Sequence, residues 1–161
     1  MSFGSLSENT IVELNQGALK GKLYHNTGKG GLTQFRQQGG DVCGQIGTGC
    51  FDCRYDRGVF DGDRFAEKVN LPKVKMIEIK LSQAAKPGHG GVFPVGKNTV
   101  QIAKIRGVLP NTTILSPPSY SAFKHIEGLI PLIAKLRQLY NLKPIGFKLC
   151  IADIREFKMI C

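Results

Sequence analysis

The chain has 161 residues, 42% of them hydrophobic and 21% charged, with a formal net charge of +10. That balance suits one globular domain and excludes a disordered polyelectrolyte. No apolar run reaches the roughly 18 residues of a membrane span, and no charged-then-apolar segment opens the chain, so neither a transmembrane helix nor a signal peptide is expected. Lys and Arg number 22 against 12 Asp and Glu, but they are scattered, without a basic run or interleaved aromatics. Dispersed surface charge is therefore expected, and nucleic-acid binding is not. The cysteines, at 43, 50, 53, 150 and 161, are odd in number, which points to reduced thiols and a cytoplasmic setting.

In chain order, Ser7 is placed to cap a helix over residues 8–20, with Ile11, Leu14 and Ala18 on one face and Gly17 weakening it. Residues 22–27 read as a short strand. Residues 28–64 are glycine-dense and lack a sustained period, so they read as loop, with a short strand pair between 49 and 60. Residues 65–69 make one or two helical turns. Residues 75–80 form a strand in which Ile77 and Ile79 alternate with Glu78 and Lys80. Residues 81–98 are a Gly- and Pro-containing loop, and 99–106 a short helix. Pro117-Pro118 ends regular structure. Leu129, Leu132, Leu136 and Leu139 then share a helical stripe, with Pro131 as the expected first residue of its helix. Residues 146–151 read as a buried strand, and 155–161 as the opening of another helix. Strands alternating with helices predict an α/β parallel sheet.

Two cysteine features carry no site. Cys50-x-x-Cys53 is a single pair in a turn, short of a zinc set, and not at the helix start where a redox pair sits. It reads as incidental, so no metal is expected. Cys150 reads as a small apolar core residue.

The candidate site is the strand-to-loop segment IEIKLSQAAKPGHGG, residues 77–91. Lys80, Ser82, Gln83, Lys86 and His89 crowd a Gly-rich turn that follows a strand, a position from which α/β folds hold anionic ligands. The segment resembles IKLSQGAKPGHGG of the FMN-binding (β/α)8 barrel in the glutamate synthase family. Five other blocks keep that family's order: MSFGSLS (1–7), HNTGKGG (25–31), QIGTGC (45–50), SPPSYSAF (116–123) and GFKLCI (146–151). The His form of the loop is similar to the stand-alone branch of the family.

The resemblance implies the following. The fold is α/β, a partial TIM (β/α)8 barrel comprising about the first four βα units, because a whole barrel needs about 250 residues. Residues 1–161 are then the N-terminal half of the domain, and the phosphate loop and iron–sulfur ligands belong to a later half not in this sequence. FMN is the implied cofactor, with Gly4, Ser5, Thr27, Lys80, Gln83 and Lys148 beside it; the fragment is not expected to retain it tightly. Gly4 and Ser5 would let the backbone approach a flat ligand, and a lysine near the N1–O2 edge would stabilise reduced flavin. The implied reaction joins ammonia to 2-oxoglutarate and reduces the 2-iminoglutarate to glutamate, with Lys86 and His89 as substrate-binding candidates. Arg106 could reach an acid or be only a helix-terminal charge. Two departures stand out. Lys29 replaces Glu of the family's NTGEGG, which either reverses charge in the site or points outward. Ala152-Asp153-Ile154 stand where the family tends to GHPW. Two functions stay open: a flavin oxidoreductase fragment inactive alone, and a non-catalytic half-barrel binding module or degenerate product, joined to a complementary C-terminal chain. The electron donor is not specified.

Overall fold

The computed structural model describes residues 2–55, 57–81, 89–151 and 153–160. In chain order the elements are α1 (Glu8–Gly21), β1 (Tyr24–Asn26), β2 (Asp41–Ile46), α2 (Gly62–Val69), β3 (Val74–Lys80), β4 (Val92–Phe93), α3 (Val100–Arg106), β5 (Ile114–Leu115), α4 (Leu129–Leu139), β6 (Ile145–Lys148) and α5 (Ile154–Ile160). Strands β1, β2, β3 and β6 form one parallel sheet in that spatial order. β3 and β6 are neighbours, with Ile77 opposite Ile145 and Lys80 opposite Lys148. β4 and β5 make a separate antiparallel ribbon. No helix is long and apolar enough to cross a membrane among the described residues.

The helix starts follow side-chain caps. Ser7 accepts from Thr10 N (3.3 Å) and opens α1. Asp61 accepts from the amides of Asp63 and Arg64, both at 3.1 Å, so α2 begins at Gly62, three residues before the expected start. Thr99 accepts from Ile102 N and opens α3. α4 begins at Leu129 rather than Pro131. Pro131 still falls in the first turn, where an amide has no helical partner to lose.

Four other expectations change. β2 lies inside the stretch read as loop. Its Gly44 hid the strand, yet a Cβ there would stand 3.0 Å from Ile77 Cδ1, so the close fit of the neighbouring strand calls for glycine. The expected pair at 49–60 reduces to one bridge, Arg54 to Phe60. Residues 3–6 form a turn with a single bridge. β6 stops at Lys148 and is half-buried, because it is an edge strand; Cys150 lies beyond it and is also only half-buried. The connection from β1 to β2 contains a 3-10 turn (Gln34–Arg36) and no α-helix.

The main core joins β2 and β3 to α2 and α4 through Val42, Ile46, Phe65, Val69, Ile77, Ile79, Leu129 and Leu136. Each such aliphatic side chain contributes roughly 1.5–3 kcal/mol by leaving water. Two buried tyrosines tie this core to strand ends: Tyr140 donates to Val74 O and Tyr120 to Ile46 O, both at 2.7 Å. A smaller cluster of Phe3, Ile11 and Ile102 packs the N-terminal turn between α1 and α3.

Two buried polar residues shape the loop between β1 and β2. Asn15, fully buried on α1, accepts from Gln38 N (2.9 Å) and Gly40 N (3.1 Å) and donates to Gly40 O (3.3 Å). Arg36, also fully buried, donates to Asn26 O (3.1 Å), Thr27 O (3.0 Å) and His25 Nε2 (2.8 Å). A guanidinium only donates, so Nε2 accepts and His25 is neutral with its proton on Nδ1. Burial, with Arg36's charge second, lowers the His25 pKa from 6.5 to about 4.

Truncating Asn15 leaves buried amides without an acceptor, so Asn15→Ala should lower the unfolding free energy by about 2 kcal/mol. Urea unfolding with an unchanged slope measures this. His25 binds its proton more readily in the unfolded chain. Its contribution is thus complete above pH 6.5 and is lost as pH falls toward about 4. The melting temperature of His25→Gln should fall less over that interval than that of the unaltered chain.

Candidate functional site

A cleft opens at the carboxyl ends of the parallel strands. It is lined by Ser2, Ser5, Gly28, Lys29, Phe51, Lys80, Gly91, Phe93, Arg106 and Ser116 among others. Because β1 and β3 run the same way, the turn after β1 and the last residue of β3 reach one side of the sheet, where open α/β sheets bind ligands.

The turn after β1 delivers Lys29. Gly28 N bonds the side chain of Asn26 (2.8 Å), and Gly30 N bonds Thr27 O (3.1 Å). Gly28 and Lys29 are both left-handed, at φ 62° and 67°. That pairing is the signature of a type I′ turn, which a lysine occupies at a conformational cost. The Lys29 stem then lies over Gly47, where a Cβ would stand within bonding range of Lys29 Cδ. Gly30 packs against the backbone of Ser2 and Phe3, where a Cβ would approach Phe3 N to 2.5 Å. The MSFGSLS and HNTGKGG blocks therefore meet.

Arg106, the last residue of α3, is 5% exposed. Its guanidinium lies 4.0 Å from the Phe93 ring centre and 5.4 Å from that of Phe51, and Nη2 donates to Phe3 O at 3.1 Å. Its Nε is buried without a hydrogen-bond partner. The helix-terminal position thus serves to aim a cation into the cleft.

Lys29, Lys80 and Arg106 form no ion pair with a carboxylate among the described residues. The nearby acids are engaged elsewhere: Glu78 accepts from Asn26 and Gln45, and Asp52 accepts from Leu32 N and pairs with Lys68. Burial, then the charges of Lys80 and Arg106, lower the Lys29 pKa from 10.5 to about 8. Burial, then Lys148, lowers that of Lys80. A cleft with this surplus charge is built for an anion.

The other candidates fall as follows. Ser5 lines the cleft. Gly4 backs it: with φ at 93°, its Cβ direction faces Phe93, Ile102 and Arg106 at 3.1–3.3 Å. Thr27 is buried beneath, its hydroxyl accepting from Gln45 N at 2.8 Å. Lys148 is exposed opposite Lys80 on the neighbouring strand. His89 is exposed and does not line the cleft. Gln83 and Lys86 lie outside the described residues. Cys43, Cys50 and Cys53 are buried thiols whose pKa values burial pushes up, which opposes a thiolate role. Arg36, which fixes the turn, was not a sequence candidate. An isolated arginine in a glycine-dense stretch reads as surface charge, and only the three convergent acceptors reveal its place.

The model of the family described as the conserved region in glutamate synthase matches residues 1–158. A glutamate synthase large subunit-like protein of Bacillus subtilis is 38% identical over 158 residues, covering 97% of this chain and 30% of that protein. An archaeal-type glutamate synthase of a Thermotoga species is 32% identical over 92% of the chain and 27% of its own length. An archaeal glutamate synthase of Archaeoglobus fulgidus is 34% identical with the same coverage. The chain thus spans under a third of the length of these relatives. With the family model matching nearly every residue, the chain belongs to the glutamate synthase family.

Proposed function

We propose that this chain is the ligand-binding N-terminal portion of a flavin-dependent oxidoreductase that acts on 2-oxoglutarate. The observation that carries the reading is the convergence of Lys80, Arg106 and Lys29 in one cleft at the strand ends. In this reading the four parallel strands are part of a (β/α)8 barrel whose remaining strands come from sequence beyond this chain. A complementary C-terminal half is then the partner. The free thiols of Cys43, Cys50 and Cys53 suit a reducing, cytoplasmic setting.

The cleft suits both a dicarboxylate and the anionic edge of a flavin. Lys80 and Arg106 would supply charge-assisted donors from the cleft wall. Bound FMN would supply hydride chemistry, and Ser5 and Lys80 on the cleft wall would be the residues to hold it. Lys80 would fix a carboxylate or flavin oxygen as a point charge, while Arg106, packed against the Phe93 ring and near that of Phe51, would orient it with its planar fork. The Phe51 and Phe93 rings exclude water from one side of that guanidinium and strengthen its field. Among the described residues no three His, Cys, Asp or Glu side chains are grouped to hold a metal.

Lys29 points into the cleft, so its alternative of facing solvent is set aside. A cation where the family carries Glu favours anion binding over handling of ammonia. This supports the second reading, in which the portion binds ligand without turning it over.

Titrating the purified chain with 2-oxoglutarate should raise its melting temperature, and the effect should weaken as salt screens the cleft. Lys80→Ala should weaken binding about tenfold, the equivalent of one charge-assisted hydrogen bond. Lys148→Ala should change it much less. Equal weakening by both substitutions would argue for a diffuse surface attraction. Supplied with reduced FMN, ammonium and 2-oxoglutarate, the chain by itself is expected to form no glutamate.

A further inference from the structure

We propose that Lys29 is an imine-forming amine, attacking the carbonyl carbon of a 2-oxo acid whose carboxylate is held by Lys80 and Arg106. The inference rests on the reading of the cleft as a carboxylate site and adds a covalent step to it.

The geometry comes first. Lys29, Lys80 and Arg106 line one cleft from three elements: the turn after β1, the end of β3 and the end of α3. A small 2-oxo acid carries its carbonyl one bond from a carboxylate, so an anion held by two of these cations presents its carbonyl to the third. The Lys29 side chain is not a free surface tether. Its stem is laid over Gly47, and its backbone is held left-handed by the Thr27–Gly30 turn. Positioned amines of this kind gain from fixed orientation.

The charge environment then favours the reactive form. The charges that act on Lys29 are those of Lys80 and Arg106, and the acids Glu78 and Asp52 are committed to other donors. A lysine beside like charges and partly removed from water is the recognised arrangement for an amine nucleophile. At pH 7 an amine titrating at about 8 is about one-tenth neutral, whereas one at 10.5 is neutral in only about 0.03% of molecules.

The step balances without an oxidant or reductant. The neutral Nζ lone pair forms the N–C bond as the carbonyl π pair moves to oxygen, which takes a proton. Nζ loses one proton to give the carbinolamine; its hydroxyl takes a proton from solvent and leaves as water as the nitrogen lone pair forms the C=N bond, and the iminium then returns that proton to solvent. The product is the imine plus one water. Lys80 and Arg106 stabilise the carboxylate throughout.

The test is reductive trapping. The purified chain is incubated with 2-oxoglutarate and cyanoborohydride, then examined by intact mass and peptide mapping. The expected result is one adduct, the mass of 2-oxoglutarate less one oxygen, on Lys29. It should saturate with ligand, be competed by succinate (which has the carboxylates but no ketone) and rise with pH to a plateau above about 8. Lys29→Arg, which keeps the charge but has no nucleophilic amine, should remove the adduct. Binding with no adduct at Lys29, or with label spread over surface lysines, would overturn the imine and leave the carboxylate reading standing. Neither binding nor adduct would overturn both. Mapping on the unaltered chain decides the matter even if the variant folds poorly.

Discussion

The buried guanidinium of Arg36 is the constraint on which the cleft depends. The chain leaves β1 with three consecutive polar groups, His25 Nε2, Asn26 O and Thr27 O, turned away from the sheet ladder, and Arg36 satisfies all three. Without it these groups would be stranded in a dry interior, where each costs on the order of 1–3 kcal/mol. With it, the chain can turn sharply at Gly28 and Lys29 instead of entering a crossover helix. That turn closes one wall of the cleft and supports the backbone of Ser2 and Phe3 through Gly30.

The remaining architecture sets charge against burial. Lys29, Lys80 and Arg106 repel one another, and partial burial weakens the solvent screening that would relieve this. The protein offsets the cost by other means than acids. Arg106 is held between aromatic faces and a carbonyl, and Lys80 keeps part of its solvent exposure at the strand end. Lys29 keeps its aliphatic stem against glycine. The site is thus preorganised at the expense of stability, a balance common at functional sites.

Much of the sheet was legible in the sequence. The alternation of Ile77 and Ile79 located β3, and Ser7 located the start of α1, because a period and a cap are local signals. β6 was found and its pairing with β3 followed from βα alternation, although its end and burial were misjudged. β2 escaped because Gly44 and the flanking polar residues erase the strand period, and the reason for glycine lies on another strand, at Ile77. In the site, Ser5 and Lys80 were legible from their motifs. Gly4 proved to back the cleft and Thr27 to lie beneath it. Arg106 was ambiguous, since helix-end charge and ligand contact look alike in one dimension. Arg36 and Asn15 were invisible, because a buried polar residue is recognised by its partners and those partners are distant in sequence.

The groove formed by Gly47 ties two positions far apart in the chain. The stem of residue 29 occupies the volume that any β-carbon at position 47 would claim. A long side chain at 29 and glycine at 47 are therefore a matched pair. A larger residue at 47 would displace that flexible stem rather than any backbone, so a change at 47 would be felt in the cleft through the placement of the Lys29 amine.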